Sequence, residues 1–230
     1  MKIDVCIATY NGQEFIAAQL RSLQNQTLRP NTIIIVDDAS TDDTVSIIEK
    51  FKAETSIEVK IFENSKNVGY GKNFERALSK AGGDYVFPCD QDDVWFPNKI
   101  SEMVKLARLE PQNNVYVCDV LLTDPELKSL GVTKLEMLQK SGYTKFNHGM
   151  GCATMIRGRF LETCLPFPVS AIGHDNWINT LAYFSGSFHF HDQVLQYYRR
   201  HDCTTSNIAS NSRKEKLFLF FLKKLKFFRP

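Results

Sequence analysis

The chain lacks the features that would mark several protein classes. No apolar run approaches the roughly 18 residues a membrane-spanning helix needs, so no span is expected. Twelve glycines and eight prolines in 230 residues are too few for a collagenous or low-complexity chain. The six cysteines (6, 89, 118, 152, 164 and 203) show no Cys-x-x-Cys spacing and stand singly in apolar stretches. They read as reduced thiols of a cytosolic protein with no zinc site. The start, Met1-Lys2-Ile3-Asp4, places an acid where the apolar core of a signal peptide would begin. Charge of one sign is also lacking, at a net +2. What is present, 43% hydrophobic and 12% aromatic residues, suits one packed domain with a tail.

The near-neutral balance hides an asymmetry. Residues 213–229 hold seven basic residues and one acid, leaving 21 basic and 25 acidic residues in the rest. A mildly acidic body argues against nucleic acid as partner, since that needs a basic face on the domain itself.

Periodicity divides the chain into alternating strands and helices. Strands are expected at 3–9, 32–36, 57–62, 84–89 and 115–122, with helices at 13–25, from about Thr41, at 70–81 and at 98–109. Ser40 is the expected N-cap of the second helix, with Asp42 and Asp43 in its first turn. Beyond about 125 the pattern loosens to strands at 151–157 and 187–198 and a helix at 175–184. Strict alternation implies an α/β fold with a mostly parallel, Rossmann-like sheet covered on both faces.

In such sheets ligands bind beyond the carboxyl ends of the strands. There stand Thr9-Tyr10-Asn11-Gly12, Asp37-Asp38-Ala39-Ser40 and Asp90-Gln91-Asp92-Asp93. Five carboxylates on one rim repel one another unless a cation neutralises them, and hard oxygen ligands beside a phosphate suit Mg²⁺ or Mn²⁺. Asp-x-Asp after a buried strand projects both acids to one side. Asp42, Asp43 and Asp93 read instead as turn-formers and caps. His189 and His191 share a strand face but have no third ligand nearby, so they do not form a zinc site. Trp95 and Trp177 suit either a sugar-stacking surface or the core.

Four blocks in order carry a family resemblance: Ala8 to Gly12; Val36 to Asp42; Asn67-Val68-Gly69 with Lys72 and Asn73; and Asp90 to Trp95. They resemble glycosyltransferase family 2, inverting enzymes of the GT-A fold. Asp90 to Trp95, with His174-Asp175-Asn176-Trp177 and Tyr198-Arg199-Arg200-His201, is most similar to the rhamnosyltransferase-like branch.

The resemblance implies a role for each matched position. Thr9, Tyr10, Asn11 and Glu14 would line the base and ribose pocket. Asp38, with Asp37, would accept from a pyrimidine N3–H. Lys72 and Asn73 would approach the ribose or diphosphate. Asp92 would bind Mn²⁺ or Mg²⁺ directly, Asp90 would lie nearer the ribose, and Arg200 and His201 would contact the diphosphate or the ion. Asp175 would be the base that takes the acceptor's proton; an N-cap role is compatible with that. The family often has Glu-Asp where this chain has His174-Asp175, which leaves the role of position 174 open.

The implied partners are a nucleotide-sugar donor (dTDP-L-rhamnose or a UDP-hexose) and a glycan or polyprenyl-linked acceptor in cell-envelope polysaccharide synthesis. Residues 1–207 would form the transferase domain, with 1–100 holding the donor and 101–207 the acceptor. Residues 208–230 would be a basic amphipathic helix, either lying on the inner face of an anionic membrane or packing on protein. The competing readings are a metal-dependent sugar nucleotidyltransferase and a non-catalytic nucleotide-sugar-binding domain. A dinucleotide-dependent oxidoreductase is excluded by the single glycine, Gly12, in the first turn.

Overall fold

A computed structural model describes residues 1–145, 149–169, 171 and 173–201. Met1–Arg199 form one compact unit, and a second begins at Arg200. The predicted tail helix and Cys203 lie outside the described residues.

The first half is built as its sequence predicts. β1 (Ile3–Thr9), β2 (Thr32–Asp37), β3 (Glu58–Glu63) and β4 (Tyr85–Cys89) pair in parallel in the order β3-β2-β1-β4. The register runs from Asp4↔Thr32 to Thr9↔Asp37, so the ends of β1 and β2 lie side by side. β2 is buried throughout, as a continuous apolar run should be. Burying side chains such as Ile7, Ile34 and Ile35 stabilises the fold by about 1.5–3 kcal/mol each. Helices α1 (Ile16–Gln24), α2 (Thr44–Glu54), α3 (Tyr70–Leu78) and α4 (Lys99–Leu109) cover the sheet.

Two helix starts differ from the sequence reading. Gly12 O accepts from both Phe15 N and Ile16 N, each at 3.0 Å, so 12–15 form a turn and α1 begins later than expected. Ser40 does not cap α2. The Asp37 carboxylate captures both the Ser40 amide (2.7 Å) and its hydroxyl (2.6 Å), which holds Ser40 in the preceding turn. Asp42 forms the turn before the helix, accepting from Thr44 N (3.0 Å) and Gln13 N (3.1 Å).

The second half extends the same sheet with mixed pairing. Its strands are β5 (Val94–Trp95), β6 (Val115–Thr123), β7 (Ser129–Thr133), β8 (Thr154–Arg157) and β9 (Phe188–Arg199). β8 is antiparallel to both β4 and β6, β9 is parallel to β6, and β5 is antiparallel to β9. Residues 151–153 form a 3₁₀ turn rather than the start of a strand. Two short helices, α5 (Lys134–Lys140) and α6 (Gly158–Cys164), precede α7 (His174–Phe184). The five cysteines among the described residues are free and buried, as expected. No helix among the described residues is long and apolar enough to cross a membrane.

Candidate active site

The parallel strands deliver three loops to one rim, where side chain-to-backbone hydrogen bonds stitch them together. Thr9 Oγ1 donates to Asp37 Oδ1 at 2.7 Å, joining β1 to β2. The side chain of Asn11 accepts from Thr41 N at 2.9 Å, while its own amide donates to Ser40 Oγ at 2.9 Å. Gln91, between the two acids of Asp-x-Asp, reaches back to β1. Its Oε1 accepts from Tyr10 N (2.9 Å) and its Nε2 donates to Tyr10 O (3.0 Å). The Gln91 amide thereby lies against Gly12, where a Cβ would come within 2.3 Å of Oε1, so any larger residue has to displace that amide.

Asp38 organises the next loop. It is only 2% exposed and accepts three N–H groups: Asn64 Nδ2 (2.7 Å) and Val68 N (2.9 Å) on Oδ1, and Gly69 N (2.9 Å) on Oδ2. Of a carboxylate's roughly four lone-pair sites, one remains for a ligand. Gly69 turns at φ +87°, a region open to glycine, and launches α3 with Tyr70 as its first residue. Asn73 is buried and spends its amide on Val36 O (2.8 Å), Thr9 O (3.3 Å) and Asn64 (3.0 Å), so here it is a strut. Lys72 is exposed and pairs with Glu75 at 2.7 Å. Tyr10 is 46% exposed and Glu14 is open to solvent near Arg199.

The acids after β4 form the electrostatic centre. Burial, then the charges of Asp92 and Asp175, pushes Asp90 up to about 7. Asp175 thus reaches Asp90 from α7, far along the chain. It lies one residue inside the helix after Gly173, the N-cap residue, and its Oδ1 accepts from Asn176 N at 2.8 Å. It is therefore a first-turn acid and not the cap itself. Burial and Asp175 also raise the Tyr70 phenol, which places α3 beside the same acid.

Asp93 is not a cap. It is completely buried and accepts from Gln196 Nε2 (2.8 Å) and Arg199 N (3.2 Å). Burial and the neighbouring Asp92 and Asp90 hold its acid well above the usual carboxylate range. Arg199 Nε donates to Asp92 O at 2.7 Å, and its guanidinium also reaches Pro125 O.

Among the described residues, ligand atoms of Asp90, Asp93 and Cys152 lie within 4.8 Å of one another, though both oxygens of Asp93 already accept from Gln196 and Arg199. Mutual repulsion of these acids is what a divalent cation would relieve, so the oxygen donors fit Mg²⁺ or Mn²⁺. The resemblance assigns the ion to Asp92, Asp90 and His201; of these, Asp90 lies in this cluster, beside Asp93 and Cys152, which the sequence reading did not name as ligands. Arg200 and His201 belong to the second unit, so their roles rest on the resemblance alone.

The remaining candidates are structural. Trp95 is 2% exposed in the core, and Trp177 Nε1 donates to Cys164 O at 3.0 Å. His189 packs near Tyr116, and His191 hydrogen-bonds Gln193 at 3.0 Å. His174 is buried and stacks on Phe74 with ring centroids 3.8 Å apart; burial lowers its pKa and keeps it neutral.

A parallel βα half with acids at its strand ends, extended by a mixed half that returns a carboxylate to the same rim, defines the GT-A class of fold. The chain belongs to glycosyl transferase family 2, whose model matches residues 4–164. It is 31% identical over 174 residues to the dTDP-rhamnosyl transferase RfbG of Shigella flexneri, covering 74% of this chain and 59% of RfbG. S. aureus TarS in complex with UDP-GlcNAc superposes with a TM-score of 0.76 at 20% identity, over 98% of this chain and 67% of that one. The mannosyltransferase PcManGT from Pyrobaculum calidifontis, in complex with GDP-Man and Mn²⁺, gives 0.68 at 20% identity, over 88% of this chain and 58% of its own. The chain thus spans about three-fifths of the length of RfbG.

Proposed function

We propose that the chain transfers a sugar, with inversion, from a nucleotide diphosphate to a hydroxyl of a glycan or polyprenyl-linked acceptor in polysaccharide synthesis, using Mn²⁺ or Mg²⁺. What supports this reading is that Asp175, in the first turn of α7, acts electrostatically on Asp90 in the acidic loop and lies beside Tyr70 of α3. Asp175 takes the proton of the acceptor hydroxyl as that oxygen attacks the anomeric carbon. The bond from that carbon to the phosphate oxygen breaks on the opposite face, and the electron pair leaves with the nucleoside diphosphate. Asp90 and Asp92 would hold the divalent ion, which when bound offsets the charge growing on the departing diphosphate. Asp38 offers its remaining lone pair to the N3–H of thymine or uracil, while Thr9, Tyr10, Asn11 and Glu14 form the base and ribose wall and Lys72 faces the diphosphate. Asn73 supports that wall from beneath through its bonds to Thr9 O and Val36 O.

The likeness to RfbG supports dTDP-L-rhamnose as donor, with a UDP-hexose as the alternative. Turnover of a panel of nucleotide sugars, with and without EDTA, tests the reading. Release of a nucleoside diphosphate that EDTA abolishes is the expected result. Release of pyrophosphate would make the chain a nucleotidyltransferase, and binding without turnover would make it a carbohydrate-nucleotide receptor. The basic tail is proposed to rest on the inner face of an anionic membrane; unchanged liposome pelleting after deletion of residues 213–230 would refute that.

A further inference from the structure

The transfer step leaves one buried charge unused. Lys99 is completely buried. It also opens α4, where the helix dipole disfavours a cation. Among the described residues no carboxylate lies within ion-pairing distance of its ammonium. The ammonium donates to Cys152 O at 2.6 Å and to Gln196 Oε1, and sits 3.7 Å from the centre of the Trp95 ring. Neutral acceptors and a ring face offset only part of the cost of taking a charge out of water. For stability alone, an apolar side chain of similar volume would serve as well or better.

The compensation lies on the far side of Gln196. That amide accepts from Lys99 on its oxygen and donates from Nε2 to Asp93 Oδ2 at 2.8 Å. Asp93 Oδ1 accepts from Arg199 N at 3.2 Å, and Arg199 Nε grips Asp92 O at 2.7 Å. An unbroken relay therefore runs from the ammonium, through β9, to the backbone of the Asp-x-Asp loop. Cys152, whose carbonyl holds Lys99, turns its thiol toward Asp90 and Asp93. The ammonium touches no acid, yet the hydrogen bonds of Gln196 and Cys152 connect it to the acidic loop.

We infer that Lys99 is a positioning residue: a resident counter-cation that, through Gln196 and Asp93, keeps the Asp90–Asp92 loop assembled before donor and divalent ion arrive. The inference rests on the reading that this loop grips a nucleoside diphosphate with its ion. Its consequence is a split between stability and binding. A residue kept for the fold would take both down together when replaced. A residue kept for the loop would leave the fold intact and weaken binding.

The test uses the full chain and two substitutions, Lys99→Met and Gln196→Leu. The first removes the ammonium; the second keeps it and cuts the relay. Thermal melting is measured without ligand, and the affinity for Mn²⁺ with dTDP or UDP is measured by calorimetry. The expected result is that Lys99→Met melts no lower than the unaltered chain yet binds the Mn²⁺–nucleotide pair about tenfold more weakly, the loss typical when a group supporting metal ligands is removed. Gln196→Leu is expected to weaken binding by about the same factor. Unaltered affinity in either folded variant would overturn the inference. So would failure of both variants to fold, which would assign the network to the scaffold. The unaltered chain serves as the separate control on the function: if it bound neither nucleotide with Mn²⁺, the donor-site reading itself would fall, before any variant was compared.

Discussion

The two halves of the sheet reach the same rim by different means. On the parallel side, the loops after β1, β2 and β4 are bound to one another by short contacts: Thr9 to Asp37, Asn11 to Thr41, Gln91 to Tyr10. On the other side, β6 and β9 are held by long strand pairing with register shifts near Asp119, and Asp175 arrives alone on the first turn of α7. The parallel side is held together by its own hydrogen bonds. The second side brings in a single carboxylate, Asp175, whose position depends on the packing of one helix. Binding and chemistry should therefore separate cleanly between the halves.

Asp175→Asn gives the largest separation. Turnover should fall by about 10²–10⁴, the usual worth of a positioned base, while nucleotide affinity stays unchanged. Steady-state kinetics beside calorimetry decide the point, and normal turnover would end the assignment. Asp92→Ala probes the opposite side. It should lower turnover by about 10²–10³ and abolish its dependence on added Mn²⁺, the scale of a lost electrostatic clamp. An alanine at 92 with an unchanged metal response would put the ion elsewhere.

Gly12→Ala sharpens the comparison without touching a charge. The new methyl displaces the Gln91 amide and breaks its two bonds to Tyr10, which should cost about 1–3 kcal/mol in urea unfolding. Gly71→Ala, in α3 with open space around it, should be neutral or stabilising by up to about 1 kcal/mol. Equal behaviour of the two would deny that the rim is stitched.

The smallest effect concerns His174. Its folded pKa is depressed by burial, so the stability held by its neutral form is present above the unfolded value of about 6.5 and is lost as pH falls below it. His174→Phe should flatten the acid limb of the stability curve, by at most about 1.4 kcal/mol per pH unit. An acid limb that stayed as steep would place the sensitivity elsewhere.

The first half was legible because its strands are apolar and bounded by turn residues, with the acids directly at their ends. Less was legible beyond residue 125. There α5 and α6 have seven residues each, too few for a periodic signal to stand out, and earlier in the chain β5, with two, escaped for the same reason. β7 carries Gly131 and an exposed face, which weakens its strand signature. Asp93 was misread because consecutive acids look alike in composition. Strand alternation separates them: Asp93 shares its face with buried Trp95, and this spacing could have marked it as an inward strut. Lys99 gave no warning, since a lysine at the start of a helix reads as solvated surface until its surroundings are known.

The Gln91 clip has a consequence for anyone who would redesign this protein. Because one amide spans two loops and fills the space above Gly12, and Asn11 ties the first of them to Ser40 and Thr41, this rim cannot be exchanged piecemeal. Grafting a single segment from a relative would leave its counterpart without a mate, so a change of sugar-nucleotide preference would have to move residues 9–13, 37–44 and 90–93 as one cassette.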